Sequence, residues 1–227
     1  MWLNAAVGAF IGAVLSLFVS ILIENQRKPK VTMEIEDYYF DNNLQGKPAK
    51  IIKVLRVKLL NRKVKDAFSW WLNREALIHC NATIQILHTE DRSPLFTNPI
   101  HARWTRSDEP YTLHRDSETK QYIPAFDIAK YNAVMSRTCY PGTEEIIDVV
   151  TRYDNEEDCY IWNNDIYYKG WRNTDVRIPK GRYYVIVTVS SSGENNIGYF
   201  KLENTLSIND FRLLNVSNEE LKILKKV

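Results

Sequence analysis

Seven carboxylates fall close together in the chain: Glu144, Glu145, Asp148, Asp154, Glu156, Glu157 and Asp158. Two of them held on one surface would suit general acid–base work, and several would suit a divalent cation. They flank turn residues, and a cluster of that kind is ordinarily a solvated face, with cation binding second. The histidines His79, His88, His101 and His114 are dispersed. His79 and His101 are expected to share an outward sheet face, but two lone imidazoles do not make a metal site. Cys80, Cys139 and Cys159 are an odd set with no C-x-x-C pair. Cys80 falls in phase with Ile78 and Ile84 and reads as a small buried hydrophobe, and a Cys139–Cys159 disulfide is expected only on an oxidising side. No G-x-G-x-x-G, Walker loop or H-E-x-x-H occurs. The chain therefore reads as a non-enzyme, with no catalytic residue, cofactor or metal expected.

Two stretches have the residue types for binding. The first is basic: Lys47, Lys50, Lys53, Arg56, Lys58, Arg62, Lys63 and Lys65, with no acidic residue between Asn42 and Lys65. Lys50, Lys53, Arg56, Lys58, Arg62 and Lys63 are the candidate contacts to anionic lipid, where each cation near the surface contributes about 1 kcal/mol. A solvated strand face, or an acidic partner, would use the same residues; direct nucleic-acid binding is the disfavoured form of the latter. The second stretch is aromatic: Tyr160, Trp162, Tyr167, Tyr168 and Trp171, interleaved with Asn163, Asn164, Asp165, Lys169 and Arg172. Large rings with polar tips suit a protein-binding surface, and the same rings could instead close one end of a core.

The elements that must position these residues follow from periodicity. Residues 2–23 hold no charged side chain. As a helix this run is roughly 33 Å long, enough to span a bilayer once. Arg27, Lys28 and Lys30 follow it, which places the C-terminal part in the cytoplasm and the helix in the cell membrane as an uncleaved anchor. Gly8, Gly12, Ser16 and Ser20 recur every four residues, beside Ala5, Ala9 and Ala13. Such a small-residue stripe lets helix backbones approach closely, so a homo-oligomer through this helix is expected.

After Pro29 the period changes to two. Val31, Met33 and Ile35, then Leu55, Val57 and Leu59, then Ile78 to Ile86 alternate with polar residues, and residues 146–151, 183–190 and 198–202 are rich in β-branched and aromatic types. Residues 105–121 read as the longest loop. Ser217 and Glu220 form a capping box that opens a short C-terminal helix. The expected organisation is a transmembrane helix (1–24), a basic linker (25–30), an antiparallel β-sandwich (31–214) and a C-terminal helix (215–227). With 44% hydrophobic residues, 8 Gly, 8 Pro and 30 Lys+Arg against 28 Asp+Glu, collagen-like, low-complexity and disulfide-framework classes are excluded.

This architecture resembles the transmembrane effector partners of short prokaryotic Argonautes in archaeal antiviral defence. The residues that carry the resemblance are Gly8, Gly12, Ser16 and Ser20, the basic residues from Lys47 to Lys65, and the strand Arg182-Tyr183-Tyr184-Val185-Ile186-Val187. It implies that the β domain binds anionic lipid, that an Argonaute complex sensing invader nucleic acid is the activating partner, and that assembled helices damage the membrane. It brings no catalytic residue with it. The competing expectation is an anchored β-sandwich that binds a glycan, peptide or protein on its aromatic stretch and has no toxic activity. A third class, a tethered hydrolase, would need a site assembled from residues distant in the chain.

Overall fold

Helix α1 (Trp2–Arg27) carries a span, Val7–Arg27, of mean hydropathy 2.3 with no part buried against the rest of the chain. It is long and apolar enough to cross a membrane. It stops before Pro29, whose ring disfavours helical backbone at Lys28. The computed structural model describes residues 2–42, 50–64, 72–116, 118, 122–154, 156–170, 172–191, 194–205 and 207–226. The residues just past α1 are tied down. The Glu75 amide donates to the Arg27 carbonyl at 2.7 Å, Arg74 Nη1 to the Lys28 carbonyl at 3.0 Å, and the Arg62 amide to the Lys30 carbonyl at 2.9 Å.

The remaining elements, in chain order, are β1 (Val31–Asn42), β2 (Lys50–Asn61), β3 (Leu77–His88), β4 (Ile100–His101), β5 (Arg103–Trp104), β6 (Tyr111–Arg115), β7 (Tyr122–Phe126), α2 (Ile128–Ala133), β8 (Ser136–Cys139), β9 (Glu144–Tyr153), β10 (Cys159–Ile161), α3 (Ile166–Lys169), β11 (Arg177–Ile178), β12 (Gly181–Ser191), β13 (Glu194–Asn204), β14 (Arg212–Asn215) and α4 (Asn218–Leu224). All strand pairs are antiparallel. One sheet runs β1-β2-β9-β10-β11 with β5 also on β9, the other β14-β13-β12-β3-β4 with β8 also on β3, and β6-β7 stand apart as a hairpin. The fold is thus mainly β, a sandwich-like packing of two antiparallel sheets between an N-terminal helix and a short C-terminal one.

Alternation does the work of folding. Leu55, Val57 and Leu59 of β2 face Ile84 and Ile86 of β3 and Val185, Val187 and Val189 of β12 across one core, with Trp104 and Phe211 fully buried in it. Each such aliphatic side chain contributes about 1.5–3 kcal/mol by leaving water. The alternating runs expected at 31–35, 55–59, 146–151, 183–190 and 198–202 all lie within strands, and the Ser217–Glu220 capping box is present in both directions.

Two expectations change. The loop expected at 105–121 contains β6, the first half of a hairpin whose second half is β7. Cys80 is buried as expected, but Ile78 is not in phase with it: the pairing of β3 with β8 shifts register between Leu77 and Cys80, and His79 has φ +52. The bulge sends Ile78 and His79 outward and Leu77 and Cys80 inward. The three cysteines are free. Cys139 pairs with Leu77 in one sheet while Cys159 pairs with Arg152 in the other, and the Cys139–Cys159 disulfide is not formed in this fold.

Helix α4 is pinned by Glu220, which accepts hydrogen bonds from Lys201 Nζ, the Ser217 amide and Tyr184 Oη. The Lys201 ammonium first, then the Ser217 amide, hold its carboxyl down at about 2, against an ordinary glutamate value of 4.5. The unfolded chain therefore takes up this proton more readily, so the stability contributed is complete above about pH 4.5 and is lost as the pH falls toward 2. Glu220→Gln is expected to lower stability at neutral pH and to flatten its decline over that acid window, measured by urea denaturation of the full chain at several pH values.

Candidate functional site

The site begins with a bulge in β9. Opposite β2 the register jumps between Leu55, which faces Val150, and Arg56, which faces Asp148, leaving Val149 as the extra residue. The Val149 carbonyl accepts from the Trp162 amide at 3.1 Å. The jump places Asp148, Thr151 and Tyr153 on the outer face of the sheet, in line with Arg56, Val54 and Ile52. Across β2, β9 and β5 this makes a row of Arg56, Asp148 and Arg103.

Asp148 is fully buried, and its Oδ1 accepts from Arg56 Nε at 2.5 Å and from Thr105 Oγ1 at 2.8 Å, with Arg103 Nη1 3.8 Å from Oδ2. Burial pushes its carboxyl up, against the opposing pull of Arg56 and Arg103. Arg103 in turn lies over the Tyr167 ring, 5.4 Å from its centroid. The buried row thus sets the position of α3.

Five rings, Tyr167 among them, gather here. Tyr111 meets Tyr167 and Phe126 edge-on at 5.5 and 6.2 Å between centroids, and Phe126, Tyr131 and Tyr168 contact one another at 5.5–6.0 Å. Such edge-to-face pairs each add about 0.5–1.5 kcal/mol beyond burial. Polar bonds fix the arm that brings them: Tyr111 Oη donates to the Tyr167 carbonyl at 2.8 Å, Tyr131 Oη to Asp165 Oδ1 at 2.9 Å, and Lys130 Nζ to the Tyr111 carbonyl at 3.0 Å. Asp127 caps α2 by accepting from the Ala129 and Lys130 amides. Burial first, and then Asp165, push the Tyr131 phenol up, so it stays a neutral donor. The elements that carry these rings also expose apolar side chains: Leu113 of β6 is 66% exposed, Ile128 of α2 63% and Tyr168 of α3 54%. Three elements, the β6-β7 hairpin, α2 and α3, therefore present one aromatic platform.

The aromatic stretch read from sequence divides. Tyr160 and Trp162 are buried with Ile52, Val54, Tyr153 and Ile166 on the outer side of the first sheet, Tyr167 is half-buried, Tyr168 is exposed, and Trp171 lies outside the described residues. Sequence reasoning misses Tyr111, Phe126 and Tyr131. The signal for Tyr111 and Phe126 is present in Tyr111-Thr112-Leu113 and Tyr122-Ile123-Pro124-Ala125-Phe126, but the charged residues between those runs mask a hairpin as a loop.

The basic stretch is not one face. Lys50 opens β2. Lys53 is buried and 3.9 Å from Asp37; Arg56 is on Asp148; Lys58 sits between Glu34 at 3.7 Å and Glu144 at 3.6 Å. Arg62 and Lys63 are exposed near the end of α1, and Lys47 and Lys65 lie outside the described residues. Carboxylates of the acidic stretch are likewise engaged, Glu156 with Arg172, Glu157 with Lys180 and Asp158 with Arg177. Among the described residues no three His, Cys, Asp or Glu side chains are grouped to hold a metal. On α1, a Cβ added at Gly8 or Gly12 would meet nothing within 4 Å, and Ser16 and Ser20 are exposed.

No family model, curated protein or solved structure matches this chain. The arrangement itself offers a large, rigidly backed aromatic surface suited to recognition. Asp148→Ala, which takes the shared carboxylate from between two guanidinium groups, is expected to destabilise the chain by about 3–5 kcal/mol. Urea denaturation of the full chain measures this.

Proposed function

We propose that this chain is a single-pass, membrane-anchored, non-enzymatic binding protein whose β domain stands on the cytoplasmic side and engages a protein partner through the aromatic platform. The observation that carries the reading is the cluster of Tyr111, Phe126, Tyr131, Tyr167 and Tyr168, open to solvent at one edge and fastened to the sandwich at the other. A contiguous exposed apolar patch of this kind is the usual mark of an interaction site. The apolar span of α1, followed by Arg27, Lys28 and Lys30, supports the anchor and its orientation. Exposed Arg62 and Lys63, next to Lys28 and Lys30 at the helix exit, are the cations best placed to meet anionic headgroups. In full-length protein cross-linked in cells, Phe126→Ser/Tyr168→Ser is expected to weaken capture of the partner by at least about tenfold while the chain remains in the membrane. A partner held equally well by the double variant would overturn the assignment of the platform.

The effector form of this reading rests on the four-residue spacing of Gly8, Gly12, Ser16 and Ser20 along α1. In it, partner binding, with an Argonaute complex as the partner that the resemblance supplies, crowds the anchors until helices associate and perturb the bilayer. A lone span leaves no aqueous path, so the toxic unit must contain several helices. Gly8→Leu/Gly12→Leu is expected to weaken self-association in a membrane reporter by about 1–2 kcal/mol with insertion unchanged.

A further inference from the structure

The bulge in β3 has a chemical result. Counted back from Cys80, strict alternation would put Leu77 on the opposite face, yet the left-handed backbone at His79 turns both residues into the core. Cys80 thereby comes to rest on the face occupied by Cys139, whose backbone partner in β3 is Leu77. Both thiols are essentially fully buried in the main core. Cys80 Sγ lies 3.4 Å from the carbonyl of Leu77, the residue whose backbone faces Cys139, so the two thiols are neighbours in one stretch of the core. The remaining cysteine, Cys159, is on another sheet. A non-glycine residue held at positive φ is uncommon and is retained where the surroundings require it.

We infer that Cys80 and Cys139 form a reversible dithiol–disulfide site whose co-substrate is a low-molecular-weight disulfide. Access comes through β8, a four-residue strand at a sheet edge paired with β3, whose local opening brings Cys139 to solvent. The Cys139 thiolate attacks the small disulfide, forming a mixed disulfide and releasing one small thiol. When β8 closes, the Cys80 thiolate displaces the second small thiol from Cys139. Two protein S–H bonds and one small-molecule S–S bond are exchanged for one protein S–S bond and two small-molecule S–H bonds. The new bond closes a loop over residues 81–138, which contain β4, β5, β6, β7 and α2. Oxidation therefore fastens the base of the excursion that carries Tyr111, Phe126 and Tyr131.

The test uses the full chain in detergent micelles, incubated with oxidised glutathione, trapped with an alkylating reagent and digested without reduction for mass spectrometry. A Cys80–Cys139 linked peptide is expected to accumulate with oxidised glutathione and to vanish with dithiothreitol, while Cys159 is alkylated only after denaturation. Protease cleavage between residues 134 and 142 is expected to slow by about tenfold in the oxidised chain, because opening of β8 is then prevented. Cys80→Ala and Cys139→Ala should each abolish the linked peptide, and the wild-type result stands on its own if either variant folds poorly. Absence of the linked peptide, or linkage of Cys159 in equal amount, overturns the site.

Discussion

One inserted residue, Val149, decides which side chains of β9 face the core and which face outward. Were Val149 paired with Leu55 in regular register, Asp148 would still oppose Arg56, but everything beyond would swap faces: Tyr153 would enter the sandwich and Arg152 would leave it. With it, Tyr153 joins Ile52, Val54, Tyr160 and Trp162 in a second apolar layer on the outside of the sheet. Arg152 turns inward at the sandwich end, where its guanidinium donates to Asn204 Oδ1 and to the Thr205 and Glu156 carbonyls. The outer layer is the bed on which α3 rests, and Asp148 holds Arg103 beneath Tyr167. The platform is therefore set by a register shift some distance from its own rings.

The same economy of charge governs the rest of the surface. Lys53, Arg56 and Lys58 of β2 meet carboxylates brought beside them by β1 and β9, so three cations of a run that is strongly basic along the chain are paired in space. Exposed Arg62 and Lys63 lie where α1 meets the domain, and there three hydrogen bonds join residues 27–30 to the segments around 62 and 74–75. A hydrogen-bonded junction holds the domain at a set angle to the helix, where a flexible linker would let it swing.

Much of the fold is legible in the sequence because its signals are local. Period-two runs mark the long strands, a charge-free run marks α1, and Ser217 with Glu220 marks α4. What stays hidden depends on contacts between distant parts of the chain. Arg56 and Asp148 are 92 residues apart, so nothing near Arg56 announces that its charge is spoken for. Bulges at His79 and Val149 break alternation by one residue, which a run such as Ile146-Ile147-Asp148-Val149-Val150 absorbs without trace. Tyr160, Trp162 and Tyr168 look alike in sequence, and only the placement of α3 divides them into buried and exposed.

The central claim is that α1 anchors a cytoplasmic β domain to the membrane. Protease added to intact cells, and again after lysis, with the membrane fraction washed at alkaline pH, tests it most directly. The account predicts a full-length chain that resists alkaline extraction, is spared in intact cells and is digested down to the α1 segment after lysis. Release of the intact chain by alkali, or digestion of the domain in intact cells, would contradict it.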